Sequence, residues 1–355
     1  MIVLFTSNSQ GGILQFTRVL AKAFQKTGHD VTLFCPDGAE SFVSDAAIVR
    51  YHRVKTLFHR HPKIRGLTDQ VLAFNPTMAI FTDDVTTSAA VAINVSRAVP
   101  TAICIHDITP HLTNDVVHLL RRRVNLLLIK RSYGCVDHII CLSSSGKAAF
   151  KKLYAEYEGK TFVMPLGAHL VTEEQVRPGE LHESIKYVLF FGRIDAYKGV
   201  DFLVEEFTSH PLSDDIKLVI AGKGAVDKAT RAKMKTDRIL FLNRFIRDEE
   251  MNWLFSHCIT VVLPYKEASQ SGVLPIAYHY GKPVLVSDLP GLTENVIENE
   301  TGLIYRNKNE FSPKLRALIE HAEGMKSCIV SYADRHLNWG KNVGELIRHA
   351  NIGKN

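Results

Sequence analysis

The spacing of hydrophobic residues changes twice within the first 34 residues of the chain. Residues 2–6 form an apolar run of strand length, and the polar segment 7–12 follows it. Apolar residues then recur at helical spacing, at Phe16, Val19, Leu20, Ala23 and Phe24. Gly28 is suited to end that helix, and residues 29–34 begin the next strand. The pattern predicts a strand–helix–strand unit with parallel strands.

The same alternation continues along the chain and is interrupted once. Further strands are predicted at 78–82, 101–105, 138–142, 161–166, 187–191, 216–221, 239–242, 260–263 and 283–286. Between residues 167 and 186 the alternation stops, in a polar run that contains Pro178-Gly179. The sequence therefore predicts an α/β protein with two Rossmann-like domains, residues 1–170 and 185–335, joined by a linker over 171–184. We expect the domains to face each other across a cleft, where ligands usually bind.

Composition narrows the class of partner. At 355 residues, the chain is long enough for two domains that each bury a core. Hydrophobic residues make up 46% and charged residues 23% of the chain, which argues against disorder. The formal net charge of +6 favours anionic partners such as nucleotides or anionic lipids. Nucleic acid is disfavoured, because the basic residues do not coincide with aromatic platforms.

Cysteine usage and the amino terminus bear on location. The six cysteines have no CxxC spacing, and several lie inside apolar runs, so we expect buried thiols in a reducing compartment. The amino terminus lacks the basic region of a signal peptide, and no apolar run has the length of a membrane span. These features predict a cytoplasmic protein.

The strongest chemical signal follows the strand predicted at 187–191. Gly192 and Gly199 allow a tight turn at the carboxyl end of this strand, before a segment with helical spacing. Ligands of open α/β sheets bind outside the carboxyl ends of the strands. Arg193 and Lys198 would therefore face a diphosphate. Two solvated cations beside a turn would give the same local pattern.

Two weaker signals lie in the first half of the chain. Gly11-Gly12 follow the first strand, where a sugar or phosphate can approach a backbone without Cβ atoms, although a turn alone also explains such a pair. His106 follows the strand at 101–105 and would point toward the cleft. The spacing of His106, His111 and His118 is compatible with a metal site, but no carboxylate or cysteine cluster completes it, so we predict no metal.

Four segments, in this order, resemble the family-4-type retaining glycosyltransferases of the GT-B fold, especially those of bacterial polysaccharide biosynthesis. They are Gly11-Gly12, His106-Asp107, the motif 192–199 and the block 269–294. The resemblance spans nearly the whole chain. It implies transfer of a sugar from a nucleoside diphosphate sugar, with a UDP-sugar favoured and with no cofactor. It also implies that a final helix, residues 336–355, crosses back to the amino-terminal domain.

The resemblance assigns roles to individual residues. His106 would contact the transferred sugar, while Arg193 and Lys198 would stabilise the negative charge that grows on the leaving diphosphate. The departing phosphate would accept the proton of the acceptor, so no protein nucleophile is needed. The donor-binding candidates are Gly11, Gly12, Gly192, Ser271, Gly272, Val273, Glu267 and Glu294. Of these, residues 271–273 begin a predicted helix whose free amides would bind the diphosphate.

The sequence departs from the common family pattern at two positions. That pattern places two glutamates eight residues apart, where this chain has Ala268 and Ile276. Neither side chain can accept a hydrogen bond from the ribose. Glu267 and Glu294 are the candidates to replace them.

Residues 116–131 bear on the acceptor. This segment combines an apolar stripe with clustered cations, as helices at a membrane surface do. A core helix with a charged outer face explains the pattern equally well. If the segment contacts a membrane, the acceptor is a lipid-linked glycan at the inner face of that membrane, rather than a free glycan.

Two other functions fit the same motifs. A catalytically degenerate member would bind a partner enzyme or a glycan without transferring sugar, and Ile276 supports that alternative. A sugar-nucleotide epimerase of the same fold would convert the nucleotide sugar without an acceptor. Only an active enzyme has a donor turnover that Lys198→Ala can reduce.

Overall fold

The structure is a computed structural model that describes residues 1–39, 46–54, 58–106, 116–170, 172–182, 184–210 and 212–352, with the backbone alone for residues 116–124. The described chain forms two compact domains. The first comprises Met1–His169 and Trp339–Asn355, and the second comprises Leu170–Asn338. The amino-terminal domain therefore takes in a segment from the other end of the sequence.

The first domain is built on a parallel sheet. Its seven described strands are β1 (Ile2–Phe5), β2 (Val31–Pro36), β3 (Ala47–Tyr51), β4 (Met78–Phe81), β5 (Thr101–Ile105), β6 (His138–Cys141) and β7 (Thr161–Val163). The strand order is β3-β2-β1-β4-β5-β6-β7. The described helices among them are α1 (Gly12–Lys26), α2 (Pro62–Leu72), α3 (Thr86–Val95), α4 (Val116–Cys135) and α5 (Ser144–Leu153).

Successive side chains of these strands enter two separate cores. Val3 and Phe5 pack into a core with residues of α2, α3, α4 and α5. Ile2 and Leu4 pack into a second core with residues of α1. Because both faces of the sheet are covered, the strands appear in the sequence as continuous apolar runs.

The second domain repeats this architecture. Its six described strands are β8 (Lys186–Phe191), β9 (Ile216–Ala221), β10 (Ile239–Leu242), β11 (Thr260–Leu263), β12 (Val284–Ser287) and β13 (Gly302–Tyr305), all parallel, in the order β10-β9-β8-β11-β12-β13. Its described helices are α6 (Val200–Ser209), α7 (Lys228–Lys233), α8 (Asp248–His257), α9 (Val273–His279), α10 (Pro290–Thr293) and α11 (Lys308–His336).

The predicted α/β class with two Rossmann-like domains is confirmed, and two strands were not predicted. β3 lies at the edge of its sheet with most of its residues partly or fully exposed, so it lacks a continuous apolar signal. β13 begins at Gly302, where a Cβ atom would lie 2.3 Å from the carbonyl oxygen of Val284. Glycine is needed there for close strand pairing, and it shortens the apolar run.

The last helix, α12 (Trp339–His349), completes the first domain. Val343 and Leu346 are buried in the same core as α1. Trp339 Nε1 donates a hydrogen bond to the carbonyl of Ala168 at 2.8 Å, and Asn342 Nδ2 donates to the carbonyl of Pro165 at 2.7 Å. The segment after β7 is thus held in place by residues far away in the sequence.

Residues 172–182, within the predicted linker, form hydrogen bonds with other segments of the second domain. The Val176 amide donates to the carbonyl of Glu249 at 2.9 Å. Arg244 donates from Nε and a terminal nitrogen to Glu180, at 2.9 and 3.0 Å, and also forms two bonds with Glu250. The Arg244 guanidinium lowers the pKa of both carboxyl groups. This segment is therefore anchored by charge-assisted hydrogen bonds.

Candidate functional site

The order of the strands reverses once in each sheet, and these points locate the candidate site. In the first sheet the chain runs outward from β1 through β2 to β3 and then returns to β4, on the other side of β1. In the second sheet β8, β9, β10 and β11 follow the same path. Ligands of open α/β sheets bind outside the carboxyl ends of the strands at such a switch point. We call the two positions the β1/β4 and β8/β11 switch points.

At the β1/β4 switch point, the predicted glycine pair forms the start of α1. Gly11 is the residue before the helix, with φ of 79°, and Gly12 is the first helical residue. A Cβ atom added to either glycine would meet nothing within 4 Å. The positive φ explains the glycine at position 11, and the open space leaves the backbone accessible to a ligand.

His106 lies at the carboxyl end of β5, as predicted. Its Nε2 lies 2.8 Å from the carbonyl oxygen of Thr82, which follows β4. A carbonyl only accepts hydrogen bonds, so Nε2 carries the hydrogen. The imidazole also packs edge-on against Phe16 of α1, with ring centroids 5.1 Å apart. The orientation of the His106 ring is therefore set by β4 and α1.

A second histidine, His169, lies in the same neighbourhood and was not among the predicted site residues. It is 6% exposed, and its Nε2 has no hydrogen-bond partner among the described residues. Its ring contacts the rings of Phe16 and Trp339, with centroids 6.0 and 5.8 Å away. Burial, together with the nearby His106, lowers the pKa of His169 to about 3. His169 is therefore a neutral aromatic residue at physiological pH.

At the β8/β11 switch point, the turn after β8 is in direct contact with the residue after β11. Gly199 has φ of 70°, and a Cβ atom there would lie 1.8 Å from the carbonyl oxygen of Pro264, the residue after β11. Next to it, Lys198 Nζ lies 3.6 Å from the ring centroid of Tyr265. The Tyr265 hydroxyl is buried and has no hydrogen-bond partner among the described residues. The ammonium is thus held over an aromatic face.

The other predicted cation, Arg193, lies at the beginning of the same turn. Its side chain is 69% exposed, and Nε lies 2.5 Å from Asp195 Oδ2. The guanidinium also forms a hydrogen bond with the side chain of Tyr197, although most of its surface is exposed to solvent. Gly192 before it has φ of 121°.

The predicted helix after residue 271 is α9, and its start lies beside the turn. A Cβ atom on Gly192 would lie 3.8 Å from Val273 Cγ2, the first residue of α9. Gly272 precedes the helix, and Ser271 Oγ accepts a hydrogen bond from the Val273 amide at 3.2 Å. The structure therefore brings Gly192 and Val273 together.

Ile276, at one of the two positions where the family has a glutamate, is buried, whereas the proposed replacements are exposed. Ile276 is 4% exposed and belongs to the core of the second domain. Glu267 and Glu294 are both exposed. A Cβ atom on Gly291 would lie 2.5 Å from the carbonyl oxygen of Ala268, so the turn before Glu294 packs against the segment after Glu267. This contact places the two glutamates on neighbouring segments.

Sequence reasoning missed the loop after β9. A Cβ atom on Gly222 would lie 1.8 Å from the carbonyl oxygen of Gly192, and one on Gly224 would lie 2.1 Å from that of Ile194. The loop therefore packs backbone to backbone against the Arg193 turn. The signal that was available is a glycine, any residue, then glycine directly after a buried strand.

Residues 10–170 match the family described as Glycosyltransferase Family 4, and residues 185–321 match the family described as Glycosyl transferases group 1. The chain belongs to the family-4-type glycosyltransferases. The first match covers strands β2 to β7 of the first sheet, and the second covers strands β8 to β13 of the second sheet. A search of curated protein sequences found no significant match.

Solved structures of glycosyltransferases share the GT-B fold with this family member. Sucrose-phosphate synthase from Thermosynechococcus elongatus has a TM-score of 0.76 and 19% identity, over 98% of each chain. HepE from Anabaena, in complex with UDP-glucose, has a TM-score of 0.73 and 15% identity, over 98% of this chain and 99% of that chain. The catalytic domain of starch synthase IV from Arabidopsis thaliana, bound to ADP and acarbose, has a TM-score of 0.74 and 13% identity, over 99% and 98%.

Three other predictions concern metals, disulfides and the membrane. Among the described residues, no group of three or more His, Cys, Asp or Glu side chains is arranged to hold a metal ion. Asp107, His111 and the side chain of His118 lie outside the described residues. The cysteines are free, and Cys135 and Cys328 are exposed rather than buried. In the described part of the chain, every helix is too short or too polar to span a bilayer.

Proposed function

We propose that this glycosyltransferase moves a hexose, with retention of anomeric configuration, from a nucleoside diphosphate sugar to a glycan or lipid-linked glycan. The proposal includes a role in bacterial polysaccharide biosynthesis. The observation that carries it is the β8/β11 switch point, where Arg193, Lys198 and the start of α9 adjoin the Gly192 turn.

This arrangement suits departure of a diphosphate. Negative charge on the leaving phosphate increases as the bond to the sugar breaks, so cations held there stabilise the transition state more than the bound donor. Arg193 can grip two phosphate oxygens, whereas Lys198 acts as a point charge. The Tyr265 hydroxyl, which is buried without a hydrogen-bond partner among the described residues, also supports a diphosphate site here. A buried hydroxyl requires a partner, and a bound phosphate would supply one.

Retention follows if the acceptor hydroxyl attacks from the face that the phosphate leaves. The departing phosphate then accepts the proton of that hydroxyl, and the protein supplies no nucleophile. In this scheme the first domain binds the acceptor. His106, whose ring is fixed by Thr82 and Phe16, contacts the transferred sugar near its reacting carbon or its 6-position.

We favour a UDP-sugar as the donor. HepE was solved with UDP-glucose and starch synthase IV with ADP, so the fold accepts different bases. A panel of UDP-, GDP- and ADP-sugars, scored first by thermal shift, identifies the base, since a ligand at a hundred times its Kd stabilises a protein by about 2.7 kcal/mol. Donor turnover with an acceptor extract then tests transfer.

The test includes Lys198→Ala and a matched control, Lys233→Ala. Lys233 is an exposed lysine of α7 in the same domain, paired with Glu205. We expect the control to keep its turnover while Lys198→Ala loses most of it. Conversion of the nucleotide sugar without an acceptor would instead indicate an epimerase.

We propose further that the first domain contacts the inner face of a membrane through residues 116–131 and that the protein is cytoplasmic. Leu127 in α4 is 68% exposed, and Phe58 is 69% exposed. Burial lowers the pKa of His59, which is next to Phe58, and the positive charge of Arg131 on α4 lowers it further. Exposed apolar side chains beside cations fit an anionic lipid surface.

Vesicle flotation tests this contact. Vesicles of phosphatidylglycerol should retain the protein, vesicles of phosphatidylcholine should not, and binding should decrease with added salt. Leu127→Ser should weaken retention, whereas Leu153→Ser, at a 54% exposed position outside the segment, should not. Equal retention by both lipids would contradict the proposal.

A second candidate function is a degenerate member that binds without transfer. The observation that favours it is the buried Ile276, which leaves the ribose position of the family without its glutamate. Such a protein would show a thermal shift with a nucleotide sugar but no turnover with any acceptor.

A further inference from the structure

Asp83 is a buried carboxylate at the β1/β4 switch point, and most of its partners come from the loop that leads to the glycine pair. Oδ2 accepts hydrogen bonds from Thr6 Oγ1 at 2.9 Å, from the Ser7 amide at 2.7 Å and from Asn8 Nδ2 at 3.0 Å. Oδ1 accepts from Ser88 Oγ at 2.5 Å. The residue is 1% exposed, and a carboxylate removed from water requires such donors. The conformation of residues 6–8 is therefore tied to Asp83.

The residue before Asp83 holds the other candidate group of the first domain. The carbonyl oxygen of Thr82 accepts the hydrogen bond from His106 Nε2. Thr82 Oγ1 lies 2.6 Å from Thr17 Oγ1 on α1, and the Thr82 amide donates to the carbonyl of Phe5 at 2.8 Å. The dipeptide Thr82-Asp83 thus contacts β1, α1, the loop between them and His106.

The same hydrogen bonds determine which backbone amides remain for a substrate. The Ser7 amide is used by Asp83, and the Asn8 amide donates to Thr6 Oγ1 at 3.2 Å. Both point into the domain. The start of α1 lies beyond them, where Gly11 and Gly12 leave open space. The amides of Ser7 and Asn8 are therefore used within the protein, while the start of α1 remains open to a ligand.

We infer that Asp83 is a positioning residue for sugar transfer, which holds the glycine loop in place while Thr82 holds His106. This inference rests on the proposed function, because Gly11, Gly12 and His106 contact substrate only under that proposal. Asp83 is buried, and both of its carboxylate oxygens accept hydrogen bonds from protein donors, so we infer that its effect on substrate is indirect. The site that Asp83 positions would bind the transferred sugar or the hydroxyl-bearing acceptor, because the diphosphate is assigned to the second domain.

The test compares the full-length protein with Asp83→Ala and Asp83→Asn. Alanine leaves the donors of Thr6, Ser7 and Asn8 unpaired. Asparagine keeps one acceptor oxygen for these three donors, and its amide can donate to the Ser88 hydroxyl, so it should rescue the loop. Amide hydrogen exchange is measured in peptides that cover residues 6–14 and, as controls, in peptides that cover α5 of the first domain and α6 of the second. Steady-state kinetics and the Kd values for UDP, GDP and ADP are measured in parallel.

We expect Asp83→Ala to exchange at least about tenfold faster over residues 6–14 and unchanged over α5 and α6, because the loss is confined to the loop. We also expect kcat/KM to fall at least about tenfold while the Kd for the nucleoside diphosphate changes less than about twofold. Asp83→Asn should lie close to wild type in all three measurements. A merely structural role would instead spread faster exchange evenly over the first domain and leave kcat/KM per folded molecule unchanged.

If Asp83→Ala does not fold, two milder variants test whether Asp83 holds the loop in place. Asn8→Ala and Ser88→Ala each remove one of the four hydrogen bonds to Asp83, and each should speed exchange over residues 6–14 by a smaller factor. Wild-type exchange in both variants would overturn the inference. If the wild-type protein transfers no sugar, the proposed function fails, yet the exchange measurements still determine whether Asp83 controls the loop.

Discussion

The two switch points have the same topology but hold charge in opposite ways. At the β1/β4 point the charged group is a buried carboxylate, Asp83, whose oxygens are occupied by protein donors. At the β8/β11 point the candidate groups are the cations Lys198 and Arg193, and the side chain of Arg193 is 69% exposed although it pairs with Asp195. A saturated buried charge stabilises a loop, whereas an accessible cation is available to a ligand. This difference supports our proposal that the second point binds the diphosphate, while the first shapes a site for uncharged groups.

The largest expected effect is a loss of stability on replacing a glycine at one of the two switch points. Gly199→Ala places a Cβ atom 1.8 Å from the carbonyl oxygen of Pro264 at a positive φ, so the free energy of unfolding should fall by about 3 kcal/mol or more. Gly11→Ala meets nothing within 4 Å, so its cost comes only from the backbone at φ of 79° and ψ of −168°, and it should be about 1–3 kcal/mol. Thermal and denaturant unfolding measure both. Equal losses would show that the tight contact in the second domain relaxes easily.

The second prediction concerns the cations. Arg193→Ala or Lys198→Ala should each lower kcat by about a hundredfold, because each removes charge stabilisation from the leaving diphosphate. Arg193→Lys should recover only part of this loss, since an ammonium cannot bind two oxygens in one plane. Steady-state kinetics with the best donor from the panel measures these effects. A change in KM alone would mean that the cations bind donor and transition state equally.

The third prediction is a pH dependence that comes from His169. Its folded-state pKa of about 3 lies below the value near 6.5 of an unfolded histidine, so the unfolded chain binds an extra proton between these values. Stability from this group is complete above pH 6.5 and decreases as the pH falls, by about 2 kcal/mol between pH 7 and 5.

His169→Phe should remove this part of the acid sensitivity, and urea unfolding at both pH values measures it. His138→Phe is the control, because burial also lowers the pKa of His138 but this residue is only partly buried, so its replacement should change the pH slope less. An unchanged pH slope in His169→Phe would show that the imidazole is hydrated in solution.

The smallest effect is expected at the glutamates proposed for the ribose. Loss of one charged hydrogen bond should raise the donor KM about tenfold, so Glu294→Gln and Glu267→Gln should identify which residue binds. Ile276→Glu should not improve donor binding, because the side chain is buried in the core and a carboxylate there is unstable. Tighter donor binding by Ile276→Glu would mean that position 276 faces the ligand after all.

Much of the architecture could be predicted because its signals are local. Buried parallel strands are continuous apolar runs, and the helix after Gly12 repeats with helical spacing, so the fold class followed from periodicity. The family could be recognised from four short segments. The edge strand β3 and the glycine-initiated β13 were missed, since neither forms a continuous apolar run.

The site could be predicted only in part. Arg193 and Lys198 lie in one contiguous motif beside their glycines, so the sequence alone singles them out as candidates. Asp83 is part of an ordinary polar tripeptide after a strand, and nothing near it in sequence reveals its partners. Tyr265 and Gly222 were missed for the same reason, because each is defined by a contact with a segment more than twenty residues away.

Periodicity and residues adjacent in the chain were enough to predict the two α/β halves, the family and the cations of the Gly192 turn. The tertiary structure decided which strand ends meet. Asp83 receives the donors of Thr6, Ser7 and Asn8 across at least 75 residues, and Gly199 touches Pro264 across another crossover. Such contacts arise only when the strands are ordered in a sheet, because hydrogen bonding and close packing depend on position in space and not on distance along the chain.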